Sequence, residues 1–518
     1  MRKNINIAII NRLLSLFIMS DKFYITTTLP YVNSDPHLGF ALEMAQADCI
    51  ARYQKISGKE VFFNTGTDEH GQKIYQKAVD RGITPQAYCD EYAAKFKQLI
   101  PALGILPGIH FIRTTDEKHI RACQEFWKLC EKNGDIYKQK YIVKYCVGCE
   151  LEKTDSELEN GKCPIHPNLE LELRDEENYF FRFSRYAEKL SEMYRSNPDF
   201  VVPDFRFNEI REFVNRGLSD FSISRLKEKM PWGVPVPGDD AQVMYVWFDA
   251  LINYISTLGW PGIMTHETRN MQQKNLLHAT SSIFQDFWPG IQIAGKDNLR
   301  QQSAMWQAML MSAGLPNSKQ IIIHGFINSG GQKMSKSLGN VADPYEILSK
   351  LREKGLSLEQ STDALRYYLL REIPTFEDGD YTWERFIEVY NAGLANGIGN
   401  LCSRILKMAK NLGLEWSDSY KEQVFKTQGY YDYLDRYELR SAANELWSLI
   451  SELDSYIQKN EPFKLAKTDP SKAKEQVGYL VNGLLQIGHM LQPMLPATSE
   501  KILKFYTSDD IPKLFPRI

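Results

Sequence analysis

Three groups of residues in this chain carry the means for chemistry. The first is Pro36-His37-Leu38-Gly39. A β-type run ends just before it and a helical pattern begins just after it, so the unpaired N–H groups of a helix start would face any bound anion. Gly39 leaves room for a ligand to approach the backbone, and His37 has an N–H to offer a phosphate oxygen. The second is Lys333-Met334-Ser335-Lys336-Ser337, two lysines among serines, preceded by Gly330-Gly331, which reads as a mobile cationic flap. When diphosphate is displaced from a nucleoside triphosphate, charge builds on the departing oxygens, and cations placed there stabilise the transition state. The third is Cys146-x2-Cys149-x13-Cys163-x2-His166. Two short hooks, each offering two ligands, suit a tetrahedral zinc ion; four protein ligands leave no position for water, so the ion would be structural.

The elements that hold these groups alternate. Phe23 to Thr28 reads as a strand, His37 to Ser57 as a long helix, Glu60 to Thr65 as a strand, and helices continue to about Lys132. A second set follows, with strands expected at Gln242 to Asp249, Ile291 to Ala294 and Ile321 to His324. Strand and helix in turn imply a doubly wound parallel, Rossmann-like α/β sheet, interrupted by an insertion that carries the cysteines. Asp343-Pro344-Tyr345-Glu346 has the residues of a helix start. Beyond Thr382 the pattern is almost wholly helical. Leu439, Ala443, Leu446, Ile450, Leu453 and Ile457 make one apolar stripe, and Ala473, Val477, Leu480, Leu484, Ile487 and Leu491 another, so the C-terminal region is expected to be an all-α bundle.

At 518 residues the chain is too long for one core. With 43% apolar residues, 25% charged and a net charge of −3, it is ordinary globular material and not a general polycation for nucleic acid. Its eight cysteines lie singly apart from the one cluster, which points to a reducing, cytoplasmic setting rather than a secreted disulfide framework. No run reaches the roughly 18 apolar residues of a membrane span. Residues 1–21 form an N-terminal extension in which basic residues flank apolar ones; it reads as a targeting segment or, preferably, as a start assigned upstream of Met19.

The pair formed by Pro36-His37-Leu38-Gly39-Phe40 and Lys333-Met334-Ser335-Lys336-Ser337 resembles the HIGH and KMSKS signatures of class I aminoacyl-tRNA synthetases, and the surrounding residues resemble the methionyl-tRNA synthetases, short form with a single zinc knuckle. The resemblance runs from Lys22 nearly to the end. It implies ATP, Mg²⁺ and one structural Zn²⁺, L-methionine, and initiator and elongator tRNA(Met) as partners. For ATP it implies His37, Gly39, Gly295, Asp297, Phe326, Ile327 and Lys336, with His37, Lys333, Lys336 and Arg225 catalytic. For methionine it implies Leu29, Tyr31, Asp68, Trp247, Ala250, Leu251, Tyr254, Asn298, Gln302 and Trp306, with Asp68 meeting the α-amino group. Such a pocket suits an unbranched, polarizable thioether.

The same resemblance divides the chain into Rossmann halves at 22–133 and 240–326, a connective insertion with the knuckle at 134–239, the lysine-loop and stem-contact region at 327–386, and an anticodon-binding bundle at 387–518. Asn400, Arg404 and Phe463 would read the anticodon, the last by stacking. Three positions depart from the family pattern: Phe40 stands where a second histidine is usual, and Asn298 and Gln302 replace an aliphatic residue and a histidine near the sulfur. Residues 261–285 look longer than the usual loop. A monomer is expected, since the chain stops soon after Pro496. Two rival readings stay open: a class I synthetase for cysteine or a branched aliphatic acid, and a synthetase-like RNA-binding protein with weakened catalysis.

Overall fold

Lys22–Thr26 (β1), Glu60–Thr67 (β2), His110–Arg113 (β3), Val201–Val202 (β4), Ile291–Gly295 (β5) and Gln320–His324 (β6) form one six-stranded sheet in the order β3-β2-β1-β5-β6-β4. All its neighbours pair in parallel. The central strands are buried along almost their whole length, polar residues such as Gln292 and Asn64 included, because helices cover both faces, as parallel sheets require. This computed structural model describes residues 21–149, 151–153, 158–262, 282–334, 340–414, 425–505 and 513–518. The extension at 1–20, most of the 261–285 segment, and Ser335 through Gly339 with Lys336 among them, lie outside the described residues.

From β1 the chain winds to β2 and β3 on one side, while β5 and β6 lie on the other. A crevice therefore opens at the carboxyl ends of β1 and β5, where doubly wound sheets take their ligands. Helix α1 (Leu38–Ile56) returns from β1 to β2 and is buried on almost every side. Its buried acid Asp48 accepts from the Leu106 amide at 2.6 Å and pairs with Arg366 at 2.7 Å. Arg366, fully buried, also donates to the carbonyls of Met494, Pro493 and Leu103. Each partner is satisfied, which makes a buried ion pair tolerable, and the cluster ties α1 to the C-terminal helices.

Two expectations change. Residues 239–244 form a strand, but in a small antiparallel sheet with Ser224–Leu226 and Pro235–Val236, and Val246–Leu251 is a helix. A short apolar run does not by itself distinguish strand from helix; here Trp247, Ala250 and Leu251 take one face and Phe248 the other. In addition, β4 lies inside the expected insertion yet joins the main sheet beside β6. The rest of that region is dominated by the long hairpin Ile136–Cys146 with Glu172–Phe181.

After the crevice, Asp343 caps the helix Pro344–Glu353 by accepting from the Tyr345 amide at 2.7 Å. The C-terminal region contains the helices Asn400–Asn411, Gln428–Asp435, Leu439–Asn460, Pro470–Leu491 and Pro496–Lys504. Both apolar stripes read from the sequence are buried along their whole length. Among the described residues no helix is long and apolar enough to cross a membrane.

Candidate active site and metal centre

His37 is extended, at φ −131° and ψ 171°, and caps α1: its Nδ1 accepts from the Gly39 amide at 3.1 Å. That bond puts the proton of a neutral ring on Nε2, the atom positioned to donate to a ligand. A Cβ on Gly39 would lie 2.9 Å from His37 Cε1, so glycine is required here by the imidazole itself as well as by any ligand. Phe40 packs 5.1 Å from the His37 ring and 5.5 Å from Phe96, and brings no donor to the wall.

His37 and Gly39 line a cleft of about 460 Å³ with Thr28, Glu43, Lys77, Gly295, Asp297, Asn298, Phe326, Ile327 and Lys333. At its floor the Glu43 carboxylate accepts twice from Thr28, through N–H and Oγ1, both at 2.7 Å, and meets His324 Nε2 at 2.9 Å. His324 Nδ1 donates to the Gly325 carbonyl at 2.7 Å. Burial opposes a charge on His324, but the Glu43 carboxylate and that carbonyl outweigh it and hold its pKa above the usual value. The pair thus joins α1 to the ends of β1 and β6. Sequence reading missed it; the available signal was an acid in the middle of an otherwise buried helix, which demands a partner.

On the other wall, Ile327–Ser329 and Gln332–Lys333 form a hairpin whose turn is Gly330-Gly331, with φ of +61° and +77°. Both central residues are left-handed, the backbone a two-residue type I′ turn demands, so the glycines make an ordered turn ahead of the lysine loop. Lys333 Nζ lies 5.1 Å and Lys296 Nζ 4.6 Å from the centre of the Phe326 ring. Asp378 anchors this side, accepting from the Phe326 amide and pairing with Lys296 at 2.7 Å.

A second cavity of about 290 Å³ adjoins the first and shares His37, Asp297 and Asn298 with it. Leu29, Tyr31, Asp68, Trp247, Ala250, Leu251, Tyr254, Asn298 and Gln302 all line it. Trp306 does not. It is fully buried one layer back, 5.9 Å from Tyr254 and 5.7 Å from Phe126, and supports the Tyr254 ring. Tyr31 fits because Gly71, at φ +122°, would otherwise place a Cβ 2.6 Å from its hydroxyl. Asp68 is positioned through its backbone, giving its N–H to Pro30 and accepting from Val32. Gln302 Nε2 and the Tyr254 hydroxyl lie 2.6 Å apart, and Gln302 Oε1 is buried with no partner among the described residues.

Behind Trp247, Asp249 is fully buried and accepts from His70 Nδ1 at 2.8 Å. Burial raises the Asp249 pKa while His70 opposes the rise. This pair, also missed from sequence, pins the Val246–Leu251 helix to the segment after β2. Arg225 lines neither cavity. Its guanidinium donates to Ser222 Oγ and the Ser224 carbonyl, both at 2.7 Å, and stacks 4.1 Å from the Tyr245 ring, which holds it back from the cleft.

The four knuckle residues converge. Cys149 Sγ lies 3.3 Å from Cys163 Sγ and 3.2 Å from His166 Nδ1, Cys146 Sγ lies 3.9 Å from that nitrogen, and all four donor atoms fall within 4.8 Å of one another. Bonds of about 2.3 Å to sulfur and 2.0–2.1 Å to nitrogen give a tetrahedron with edges of about 3.5–3.8 Å, so the donor set fits zinc. Gly148 admits the histidine: a Cβ there would sit 2.5 Å from His166 Cγ. Lys73 Nζ donates to the Gly148 carbonyl at 2.8 Å, and Cys149 reaches the smaller cavity, so the knuckle borders the crevice.

In the bundle, Asn400 is exposed and Arg404, one turn on, pairs with Asp454 of the neighbouring helix. Phe463 follows Glu461 (φ +43°) and Pro462 and is 47% exposed, an unusual position for a phenylalanine.

Residues 23–170 and 152–406 match a family profile described as tRNA synthetases class I (M), and residues 413–514 match one described as the anticodon binding domain of methionyl tRNA ligase. A methionine–tRNA ligase of Thermotoga maritima is 39% identical over 507 residues, covering 95% of this chain and 76% of that protein. The chloroplastic/mitochondrial methionine–tRNA ligase of Arabidopsis thaliana is 39% identical over 510 residues, covering 94% and 78%. Among solved structures, Mycobacterium tuberculosis methionyl-tRNA synthetase in complex with methionyl-adenylate has a TM-score of 0.81 and 33% identity, over 93% of each chain.

Proposed function

This chain belongs to the methionyl-tRNA synthetases, and from that premise we propose how its residues divide the work of methionine activation and transfer. The enzyme activates L-methionine with ATP to methionyl-adenylate and passes the methionyl group to the 2′-hydroxyl of the terminal adenosine of tRNA(Met). One observation carries the assignment of roles: the larger cleft and the aromatic-walled cavity share His37 and Asp297 in their walls, which supports a carboxylate held in one meeting an α-phosphate held in the other.

In that arrangement Asp68 takes the ammonium of methionine, while Trp247, Ala250, Leu251 and Tyr254 enclose its side chain. Asp297 accepts from the ribose hydroxyls, Gly295, Phe326 and Ile327 face the nucleoside, and Gly39 lets the phosphates approach the start of α1. A methionine carboxylate oxygen then bonds to the α-phosphorus as the bond to the bridging oxygen breaks, and the electron pair leaves with the diphosphate. His37 Nε2 donates to a phosphate oxygen during this step, and Lys333 and Lys336 neutralise the leaving group. Mg²⁺ bound with ATP would add further neutralisation. Because Arg225 is held back from the cleft, its role is to brace Tyr245 and the strand before the Trp247 helix. Zinc on Cys146, Cys149, Cys163 and His166 would fix the knuckle's shape at the crevice mouth.

Gln302 has a particular orientation in this reading. A separation of 2.6 Å is typical of an O–H···O bond and short for N–H···O. An amide turned by 180° occupies the same volume. Turned so, its carbonyl oxygen accepts from the Tyr254 hydroxyl, and the NH₂ becomes the group left to donate toward the thioether once the ligand is bound. Asn400, Arg404 and Phe463 contact the anticodon of tRNA(Met), on the bundle face far along the chain from the chemistry. Charging assays test the whole assignment: a tRNA(Met) transcript is expected to accept methionine, and one with an altered anticodon to accept it at least about 10²-fold less efficiently. Equal charging of both would contradict the anticodon role.

A further inference from the structure

We propose, on the reading of the larger cleft as the ATP site, that His324 is a positioning residue for ATP that works only as an imidazolium, so that the hold on ATP weakens as pH rises. His324 ends β6 and lines that cleft together with Glu43, Asp297 and Phe326. Its side chain and that of Glu43 are each only 5% exposed. Nε2 lies 2.9 Å from Glu43 Oε2, and Nδ1 lies 2.7 Å from the Gly325 carbonyl oxygen. A carbonyl and an ionised carboxylate only accept, so both ring nitrogens donate and the ring carries two protons.

Glu43 passes this constraint on. Its other oxygen accepts from the Thr28 N–H and Oγ1, which anchors the segment leading through Leu29 and Tyr31 to His37. A second carboxylate borders the same space: a Cβ on Gly295 would lie 2.8 Å from Asp297 Oδ1 and 3.7 Å from His324 Cε1. Asp35, His37, Lys77 and Lys333 share the cleft. Lys296 is paired with Asp378 beside Phe326, Tyr254 in the adjoining cavity is kept neutral by burial and by the Glu43 charge, and the end of β1 contributes the uncharged Thr28. Burial opposes the charge on His324, but Glu43, the Gly325 carbonyl and Asp297 outweigh it and raise its pKa, so the charged form is complete below that pKa and lost as pH rises through it. Loss of the proton strips either Glu43 or Gly325 of its donor and leaves the Glu43 and Asp297 charges uncompensated beside an anionic ligand. The wall at the nucleoside end is the same for bound ATP and for the transition state, so its loss appears in binding rather than in turnover.

The test measures methionine-dependent ATP–pyrophosphate exchange at saturating methionine on the full chain, native and carrying His324→Gln, from about pH 6.5 to about pH 9.5, with thermal melting at each pH. Glutamine keeps a donor toward Glu43 and carries no charge. In the native chain the ATP KM is expected to rise about tenfold per pH unit above the His324 pKa while kcat stays within about threefold. In His324→Gln the ATP KM is expected to lie about tenfold above the native value at the acid end and to stay flat, with the fold retained. A native ATP KM that is flat across the range would overturn the proposal. So would a His324→Gln chain that keeps the native pH dependence, which would place the titrating proton elsewhere. A lowered melting temperature in His324→Gln with kcat and both KM values affected alike would also overturn it, leaving His324 a strut between α1 and β6. If the native chain shows no methionine-dependent exchange at any pH, the reading of the cleft as the ATP site fails first, and the role of His324 with it.

Discussion

The proposed mechanism gives His37 two tasks, one for each ring nitrogen, and substitutions separate them. Nδ1 caps α1 through the Gly39 amide at 3.1 Å, and Nε2 is proposed as the donor toward phosphate. Removing an N-cap side chain costs about 1 kcal/mol of stability, whereas removing one donor to a developing oxyanion costs about 10²–10³ in kcat. His37→Ala loses both. His37→Asn retains a cap, since asparagine is among the best N-cap residues, but its amide ends near the level of Nδ1 and places nothing at Nε2. The expectation is an exchange kcat reduced about 10²-fold or more in both variants, with a lowered melting temperature only in the alanine form. Gly39→Ala provides the converse case: the new Cβ, 2.9 Å from Cε1, pushes an intact imidazole off its position, and misplacement by about 1 Å can cost on the order of 10²-fold. The assay is methionine-dependent ATP–pyrophosphate exchange paired with thermal melting. An asparagine variant within about threefold of the native rate would refute the donor role.

Three further expectations follow from the geometry. The knuckle should hold one zinc ion per chain, and Gly148→Ala, by crowding His166, should weaken zinc binding by on the order of 10–100-fold in a chelator competition; unchanged affinity would contradict the donor arrangement. Gln302→Leu removes both the Tyr254 bond and the donor proposed for sulfur, so methionine KM should rise about fivefold with kcat little changed, a loss of about 1 kcal/mol; a native KM would show that the amide does not contact the ligand. Phe463→Ala should lower tRNA charging efficiency about tenfold or more through lost stacking and leave exchange untouched; equal losses in both assays would place the effect in folding.

The most legible parts of the sequence were those set by local rules. The helix start at Pro36-His37-Leu38-Gly39, the knuckle spacing, the Asp343 cap and the two stripes of the bundle each need only a few neighbouring residues to declare themselves. Depth was not legible. Trp306 and Arg225 sit one layer behind the cavities, because spacing along a chain indicates which face a residue takes but not which layer occupies it. Pairs such as His70 with Asp249 and Glu43 with His324, separated by 179 and 281 residues, leave only unpaired polar residues inside apolar runs as their trace. The Val246–Leu251 helix was misread as strand because its aromatic residues fit either element until the pocket supplies a face. The role proposed for Lys336 rests on chemical grounds alone, since it lies outside the described residues.

The central claim, that the joined cavities activate methionine, is tested most directly by ATP–pyrophosphate exchange measured with each of the twenty amino acids in turn. The account predicts exchange that depends on methionine, with cysteine and the branched aliphatic acids slower by at least about 10²-fold in kcat/KM. Exchange driven faster by cysteine or a branched acid, or tRNA binding with no exchange for any amino acid, would contradict it.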